Sequence, residues 1–471
     1  MVGGLVRGAL PTVGHPCPLL PVLPARGLPS HRFGAHWARV TIELVNTGSE
    51  LMLGRVLNTH QQWICRTLAD RGYTVDRQVA ISDDPEALVA AVREGLARAD
   101  WVITTGGLGP TCDDRTRELV ASMLGRTLKH DPAVEAQIRS YFEGRNRPVP
   151  ARTKVEAMVP DGAEVLVNRH GTAPGLALWL DPNPFRPDGR PTWLVMLPGP
   201  PRELRPMVLE EMLPRLDQRF PRRDGFACRT LKTTGLGESY MEELLDAPLK
   251  DLVAAGMDLG FCARVGEVDV RFVARGPEAQ VTVAEAECRT RTVAGNYIFG
   301  VDDETLETVL VRDFSERGFT LALAESCTGG HIANRITNVP GASAMLKAGL
   351  VTYANEAKES FLGVPRSLLV EHGAVSEPVA RAMAEGVRRA TGADFAIAVT
   401  GIAGPGGAVP GKPVGTVFIA VAGPGGVEVK RQLNAFDRET FKYITAQQAM
   451  AAVLRKAATG LAWAEATGSR S

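Results

Sequence analysis

Apolar positions change their period repeatedly along the chain. The run Val40–Asn46 has strand length, and beyond a glycine-containing turn Ile64 and Leu68 stand four apart, on one face of a helix. A second helix is predicted with Asp84 as N-cap and Pro85 in its first turn, carrying Leu88, Val92 and Leu96 at helical spacing. Strand Trp101–Thr105 follows, and this alternation predicts a parallel sheet covered on both faces. Strand Thr192–Leu197 comes later, after a stretch rich in Pro, Asp and Gly (Leu180–Pro191) that reads as an exposed loop. Between Cys228 and Gly300 the pattern is that of a small α+β module: Leu231–Thr234, a helix around Tyr240–Leu245 that should stop before Pro248, an alternating strand Glu267–Ala274 and a helix near Ala284. With no cluster of reactive residues, the module reads as a spacer or a dimerisation unit.

The last third is again layered α/β. A helix after Asp302–Asp303 carries Leu306, Val309, Leu310 and Phe314. Strands read at Phe319–Ala324, Phe395–Val399, Thr416–Val421 and Glu428–Leu433, and a helix from about Ser376 presents Val379, Met383 and Val387 on one side.

Composition narrows the function classes. A chain of 471 residues exceeds one hydrophobic core and predicts about three domains. Lys plus Arg and Asp plus Glu are 53 each, a formal net charge of +0, so there is no long-range field to draw in nucleic acid or an anionic membrane. No run approaches the ~20 apolar residues that span a bilayer. The seven cysteines are scattered without a CxxC pair, which fits a reducing, cytoplasmic setting without a structural zinc site. Residues 1–39 contain no acid, and Pro11, Pro16, Pro18, Pro21, Pro24 and Pro29 interrupt their apolar runs, so a disordered extension or a start codon placed too early is expected rather than a signal peptide.

Two places carry candidate chemistry. Strand Phe319–Ala324 delivers Glu325–Ser–Cys–Thr–Gly–Gly330 to its carboxyl end, where His331–Arg335 looks helical. A serine at such a junction faces the first amides of the helix, whose partial positive charge can stabilise an oxyanion; an ordinary serine N-cap is the other reading. Neither His331 nor His372 is well placed as its base. Lys358, at the end of the largely apolar Gly349–Leu–Val–Thr–Tyr–Ala–Asn–Glu–Ala–Lys358, would serve if desolvated, with Tyr353 nearby; otherwise it opens a surface helix and pairs with Glu356 or Glu359. Cys327 is a rival nucleophile unless it points into the core. Thr400–Gly–Ile–Ala–Gly–Pro–Gly–Gly407 also follows a strand, so Thr400 and Ser326 should line one crevice at the carboxyl end of the sheet.

In the first domain, Glu50 in Thr47–Gly–Ser–Glu–Leu51, the pair Asn58–Thr59, and Thr105–Gly–Gly–Leu–Gly–Pro–Thr–Cys–Asp–Asp114 fall at strand ends. Amides of Gly106, Gly107 and Gly109, with Thr111, form a candidate phosphate loop. Asp113 and Asp114 with Glu50 are candidate oxygen ligands for a divalent cation, Mg, Mn or Co, unless the two aspartates simply begin a helix.

The segments around Ser326, Lys358, His372–Pro378, Thr400–Gly407 and Lys412–Thr416 resemble the nicotinamide-nucleotide amidase domain of the CinA (competence/damage-inducible) family. The glycine loop of the first domain, with Gly171–Thr–Ala–Pro–Gly175 and Leu197–Pro–Gly–Pro–Pro201, resembles that family's molybdopterin-binding-like domain. The resemblance implies an α/β fold in three parts: a three-layer molybdopterin-binding-like domain (40–215), a small α+β module (216–300) and a three-layer α/β amidase domain (301–466). It implies conversion of nicotinamide mononucleotide to nicotinate mononucleotide and ammonia, with Ser326 as nucleophile, Lys358 and Tyr353 assisting proton transfer, and no cofactor at that step. Thr328, Gly329, Gly330, Thr400, Gly401, Ala403, Gly404 and Arg438 would bind substrate. Some relatives cleave ADP-ribose with a metal in the first domain. This chain departs from the family pattern at Ser49, where many relatives have Asp, and at Lys442, where a second arginine is common. The resulting expectation is a cytoplasmic homodimer of pyridine-nucleotide salvage that contacts neither membrane nor nucleic acid. The alternatives are a pterin- or nucleotide-binding protein and a competence or DNA-repair accessory factor.

Overall fold

Six strands of the first half form one sheet because most of their positions are apolar and buried and cores lie on both faces. A computed structural model describes residues 40–220 and 225–459; the expected extension 1–39 lies outside them, as does the end of the chain beyond 459. The described residues fall into two compact units, divided between Phe226 and Ala227.

In the first unit β1 (Ile42–Thr47) pairs in parallel with β2 (Arg77–Ile81) and with β3 (Trp101–Thr105). A short ribbon, β4 (Leu128–His130) with β5 (Met158–Pro160), stands apart. The main sheet is completed by β6 (Glu164–Leu166), β7 (Gly175–Leu180) and β8 (Thr192–Leu197), in the order β2-β1-β3-β8-β7-β6. β8 is parallel to β3, but β7 runs antiparallel to both of its neighbours, β8 and β6, so the sheet is mixed rather than all parallel. The side-chain period of two sends Ile42, Leu44, Ile103 and Val195 to one core and Val45, Val102, Leu194 and Met196 to the other. Asp84 caps helix Pro85–Arg98 as predicted, accepting from the Ala87 amide at 2.9 Å. The loop 181–191 is not free, however. Asn183 and Arg186 are buried; Asn183 donates to the Leu96 carbonyl (2.7 Å) and Arg186 to that of Ala99 (3.1 Å), which ties the loop beneath the end of that helix.

The second unit opens with β9 (Phe226–Thr234), β10 (Asp258–Arg264), β11 (Glu267–Arg275) and β12 (Ile298–Val301), ordered β10-β11-β9-β12. Helix Glu238–Ala254 runs straight through Pro248, contrary to the expected stop. Met241, Leu245 and Leu249 are all buried against Leu231 and Phe272, and burying that continuous face outweighs the one backbone bond the proline removes.

The same unit continues into β13 (Leu321–Glu325), β14 (Leu346–Val351), β15 (Phe395–Gly401), β16 (Thr416–Gly423) and β17 (Gly426–Leu433), ordered β14-β13-β15-β16-β17. β13 lies between β14 and β15, parallel to both, and β16 and β17 are antiparallel additions. One face of the sheet is large (Leu321, Leu323, Ile397, Val399) and meets Phe314, Phe441 and Met450. The other is small (Ala322, Ala324, Ala396, Ala398) and admits helix Glu377–Thr391 closely. The β10–β11 turn docks on helix Arg438–Thr459: a Cβ on Gly266 would lie 3.4 Å from Gln447, and the Gln447 amide donates to Glu267. No helix among the described residues is long and apolar enough to cross a membrane.

Candidate functional site

Register brings the ends of three strands level. The Ser326 amide donates to the Val399 carbonyl (3.1 Å) and the Thr352 amide to that of Glu325 (2.8 Å), so Ser326, Thr352 and Thr400 share one rim. Helix Asn355–Leu362 returns Lys358 beneath it. Lys358 is 1% exposed, not the start of a surface ion pair, and its Nζ lies 3.3 Å from Ser326 Oγ, 2.9 Å from the Thr352 carbonyl and 3.2 Å from the Tyr353 carbonyl. Burial pushes its pKa below the ordinary lysine value. A neutral amine has two hydrogens and one lone pair. With the two carbonyls taking the hydrogens, the lone pair is left for the serine proton.

The remaining expected residues divide. Gly329 (φ +60°) has nothing within 4 Å of where a Cβ would stand, and Gly330 (φ +92°) has only Val351 at 3.5 Å, so the loop can be approached closely. Arg438 donates to the Gly404 carbonyl (2.8 Å) and to the Tyr353 hydroxyl (3.0 Å), placing a guanidinium on the exposed rim. Tyr353 therefore meets Lys358 through its carbonyl, while its phenol serves the rim with Arg438.

Thr328 is corrected. It is fully buried and its hydroxyl donates to Glu325 (2.7 Å), so its side chain does not line the surface of the loop. Thr400 donates to the Ala374 carbonyl (2.8 Å) and is 1% exposed. Gly401 is glycine because a Cβ would sit 2.8 Å from the Thr416 carbonyl, and Gly404 (φ +77°) because it would sit 2.7 Å from Val414; Ala403 packs in the core. These four shape the loop from within rather than by side-chain contact.

The expected oxyanion donors at the helix start are taken: the amides of Gly330, Ile332 and Ala333 donate to Glu325. Cys327 points into the core, where burial pushes its thiol up to about 12, so it is no nucleophile.

In the first unit the loop after β3 turns through Gly106 (φ +101°) and Gly107 (φ +67°), and a Cβ on either would strike Thr47 or Thr116 within 2.5 Å. Gly109 faces Asp114 in the same way, at 2.6 Å. Asn58 is an N-cap, accepting from the Gln61 amide (3.1 Å) and donating to Asn46 (2.9 Å). Asp114 accepts from both the amide and the hydroxyl of Thr111. Glu50 and Asp113 are exposed. Among the described residues no group of three His, Cys, Asp or Glu side chains is placed to hold a metal ion; Asp114 is engaged by Thr111, while Glu50 and Asp113 face solvent.

Sequence reading missed what lies beneath this loop. Arg117, 1% exposed, donates to the Leu108 carbonyl (3.2 Å), and Glu156, fully buried, accepts from Thr172 (3.0 Å). Glu203 accepts from Asn168 (2.8 Å) and leaves no room for a side chain at Gly171. Nothing in the local pattern marks Glu156, because its partners Asp114, Arg117, Thr172 and Glu203 come from separate stretches of the chain. Desolvation raises its carboxyl to about 7, with Glu203 and Asp114 adding to the rise and Thr172 and Arg117 opposing it. A carboxyl raised on folding contributes its stability below the unfolded value near ~4.3 and loses it as pH climbs through the folded value. Glu156→Gln is therefore expected to gain about 2 kcal/mol over wild type in this unit between pH 5 and pH 8, about 5 °C in melting temperature. Calorimetry at the two pH values checks this; an unchanged gap would refute it.

Three family models match the chain in order: a probable molybdopterin binding domain over residues 43–218, a damage-inducible protein CinA KH domain over 228–300 and a CinA C-terminal domain over 303–457. A CinA-like protein of Akkermansia muciniphila is 43% identical across 88% of this chain and 97% of its own length. One from Gemmatimonas aurantiaca is 41% identical across 87% and 94%. Among solved structures, the competence damage-inducible protein A of Klebsiella pneumoniae is 40% identical and covers 32% of this chain and 95% of its own, with a TM-score of 0.32. With relatives this similar along nearly their whole length, the chain belongs to the CinA family of competence/damage-inducible proteins.

Proposed function

We propose that the second unit hydrolyses the carboxamide of nicotinamide mononucleotide, releasing ammonia and nicotinate mononucleotide. The observation that carries this reading is a buried lysine amine 3.3 Å from a serine hydroxyl, held by two neutral carbonyls rather than a carboxylate. Lys358 takes the Ser326 proton as Oγ attacks the carboxamide carbon. The resulting ammonium stands beside the developing oxyanion, a service the occupied helix amides cannot give. Lys358 then returns the proton to the departing nitrogen, and the C–N bond breaks to leave a serine ester and ammonia. Water, deprotonated by the same amine, cleaves the ester to the carboxylate and restores the hydroxyl. Arg438 at the rim supplies positive charge for the nucleotide phosphate, and the open face of Gly329 gives the ring access.

The test uses the full chain with nicotinamide mononucleotide. Ammonia and nicotinate mononucleotide are expected in equal amounts, at a rate unchanged by a chelator. Absence of both products would end the proposal.

For the first unit we propose binding of a pterin or a pyrophosphate nucleotide at the glycine loop, supported by the match to a molybdopterin-binding domain and by the positive-φ glycines. Titrating ADP-ribose against a pterin separates the two. Direct nucleic-acid binding is disfavoured: helix Glu238–Ala254 of the middle module exposes five acids and one lysine, the wrong charge for a phosphate backbone.

A further inference from the structure

Glu325 takes no part in the proposed chemistry, yet its buried carboxylate collects four donors. It ends β13 and is 1% exposed. One oxygen accepts from the Thr328 hydroxyl at 2.7 Å and from the amides of Gly330 at 3.0 Å and Ile332 at 3.1 Å; the other accepts from the Ala333 amide at 2.8 Å. Helix His331–Thr337 begins at Gly330, which has no side chain to cap it, so the cap comes from the strand below. Burying a carboxylate is costly unless charge-assisted bonds offset it, and here every bond comes from the turn after Ser326 or the start of the helix that follows it.

The arrangement closes a small rigid frame. On one side Ser326 is bonded through its amide to Val399, and its carbonyl accepts from the Gly329 amide at 3.1 Å. On the other, the helix start is clamped to the residue just before Ser326. The two glycines at positive φ make the turn soft by composition, and only an external clamp makes it stiff. With its bonding capacity taken by these four donors, Glu325 is not a base.

We infer that Glu325 is a positioning residue, which holds the Ser326 backbone where the hydroxyl meets the Lys358 amine. The inference rests on Ser326 being the nucleophile. A shift of about 1 Å in such a pair costs on the order of 10²-fold in rate.

The test is the rate at which a fluorophosphonate labels Ser326, measured beside ammonia release in the full chain. In Glu325→Gln, one oxygen becomes an NH₂ group facing N–H or O–H donors, so at least one clamp bond is lost. Labelling and kcat are expected to fall together by about 10- to 100-fold, while KM changes less than about threefold and labelling still runs to completion. Thr328→Val removes one donor and keeps the shape; it should slow labelling about 3- to 10-fold, and it gives the answer if the first variant does not fold. A merely structural role would lower the final extent of labelling without slowing the molecules that do react. That result, or wild-type rates in the folded variants, overturns the inference. Wild-type protein that labels elsewhere than Ser326 overturns the nucleophile reading and the inference with it.

Discussion

Ser326→Ala is expected to lower ammonia release from nicotinamide mononucleotide by at least about 10³-fold, because removing a nucleophile leaves only the catalysis that binding and charge provide. The fold should survive. Only one hydroxyl is lost, its backbone bonds to Val399 and Gly329 do not involve the side chain, and Lys358 keeps both carbonyl partners. A melting temperature within a few degrees of wild type, with substrate still bound, is the companion result. Activity within tenfold of wild type would remove the hydroxyl from the reaction and leave the Ser326–Lys358 contact without a chemical role.

Lys358→Met should cost about 10²- to 10⁴-fold in kcat, the range for loss of a general base. It is also expected to destabilise the second unit, since the Thr352 carbonyl loses its donor in a buried place, at about 1–3 kcal/mol. The pH profile is the sharper readout. The base works when neutral, and burial lowers its pKa, so wild-type kcat/KM should rise with pH through a value below that of an ordinary lysine. Lys358→Arg keeps the charge but cannot shed its proton, and should be inactive across the range. A profile that lacks the rising limb in wild type would rule out lysine as the base.

Much of the fold was readable from period and caps. Asp84, the strand Trp101–Thr105 and the helix bearing Val379, Met383 and Val387 all appear where spacing put them. Local rules failed where distant burial overruled them. Pro248 did not end its helix because Leu249 had a core to enter, and the 181–191 loop was tied down by Asn183 and Arg186 reaching back some 87 residues. At the candidate site the residues alone left Lys358 open between a desolvated amine and a surface ion pair; the family resemblance joined it to Ser326, and the two atoms lie 3.3 Å apart. Thr328 was misassigned because its sequence position beside two glycines says nothing of which way its hydroxyl turns. Glu325 passed unnoticed in an otherwise apolar strand, and Glu156 and Glu203 take their meaning from segments that meet only in three dimensions.

Gln447 is fully buried, and its side-chain amide spans Arg335 on one side (2.6 Å) and Glu267 on the other. Arg335 belongs to the helix whose first turn Glu325 grips, and it also meets Glu307 at 2.8 Å. A chain trimmed to its carboxyl-terminal third would uncover this glutamine and leave water where a carboxylate had been. The strands from 226 to 301 are therefore part of the footing on which the Ser326 turn stands, and a shortened chain would need a new acceptor at that spot to hold the helix equally still.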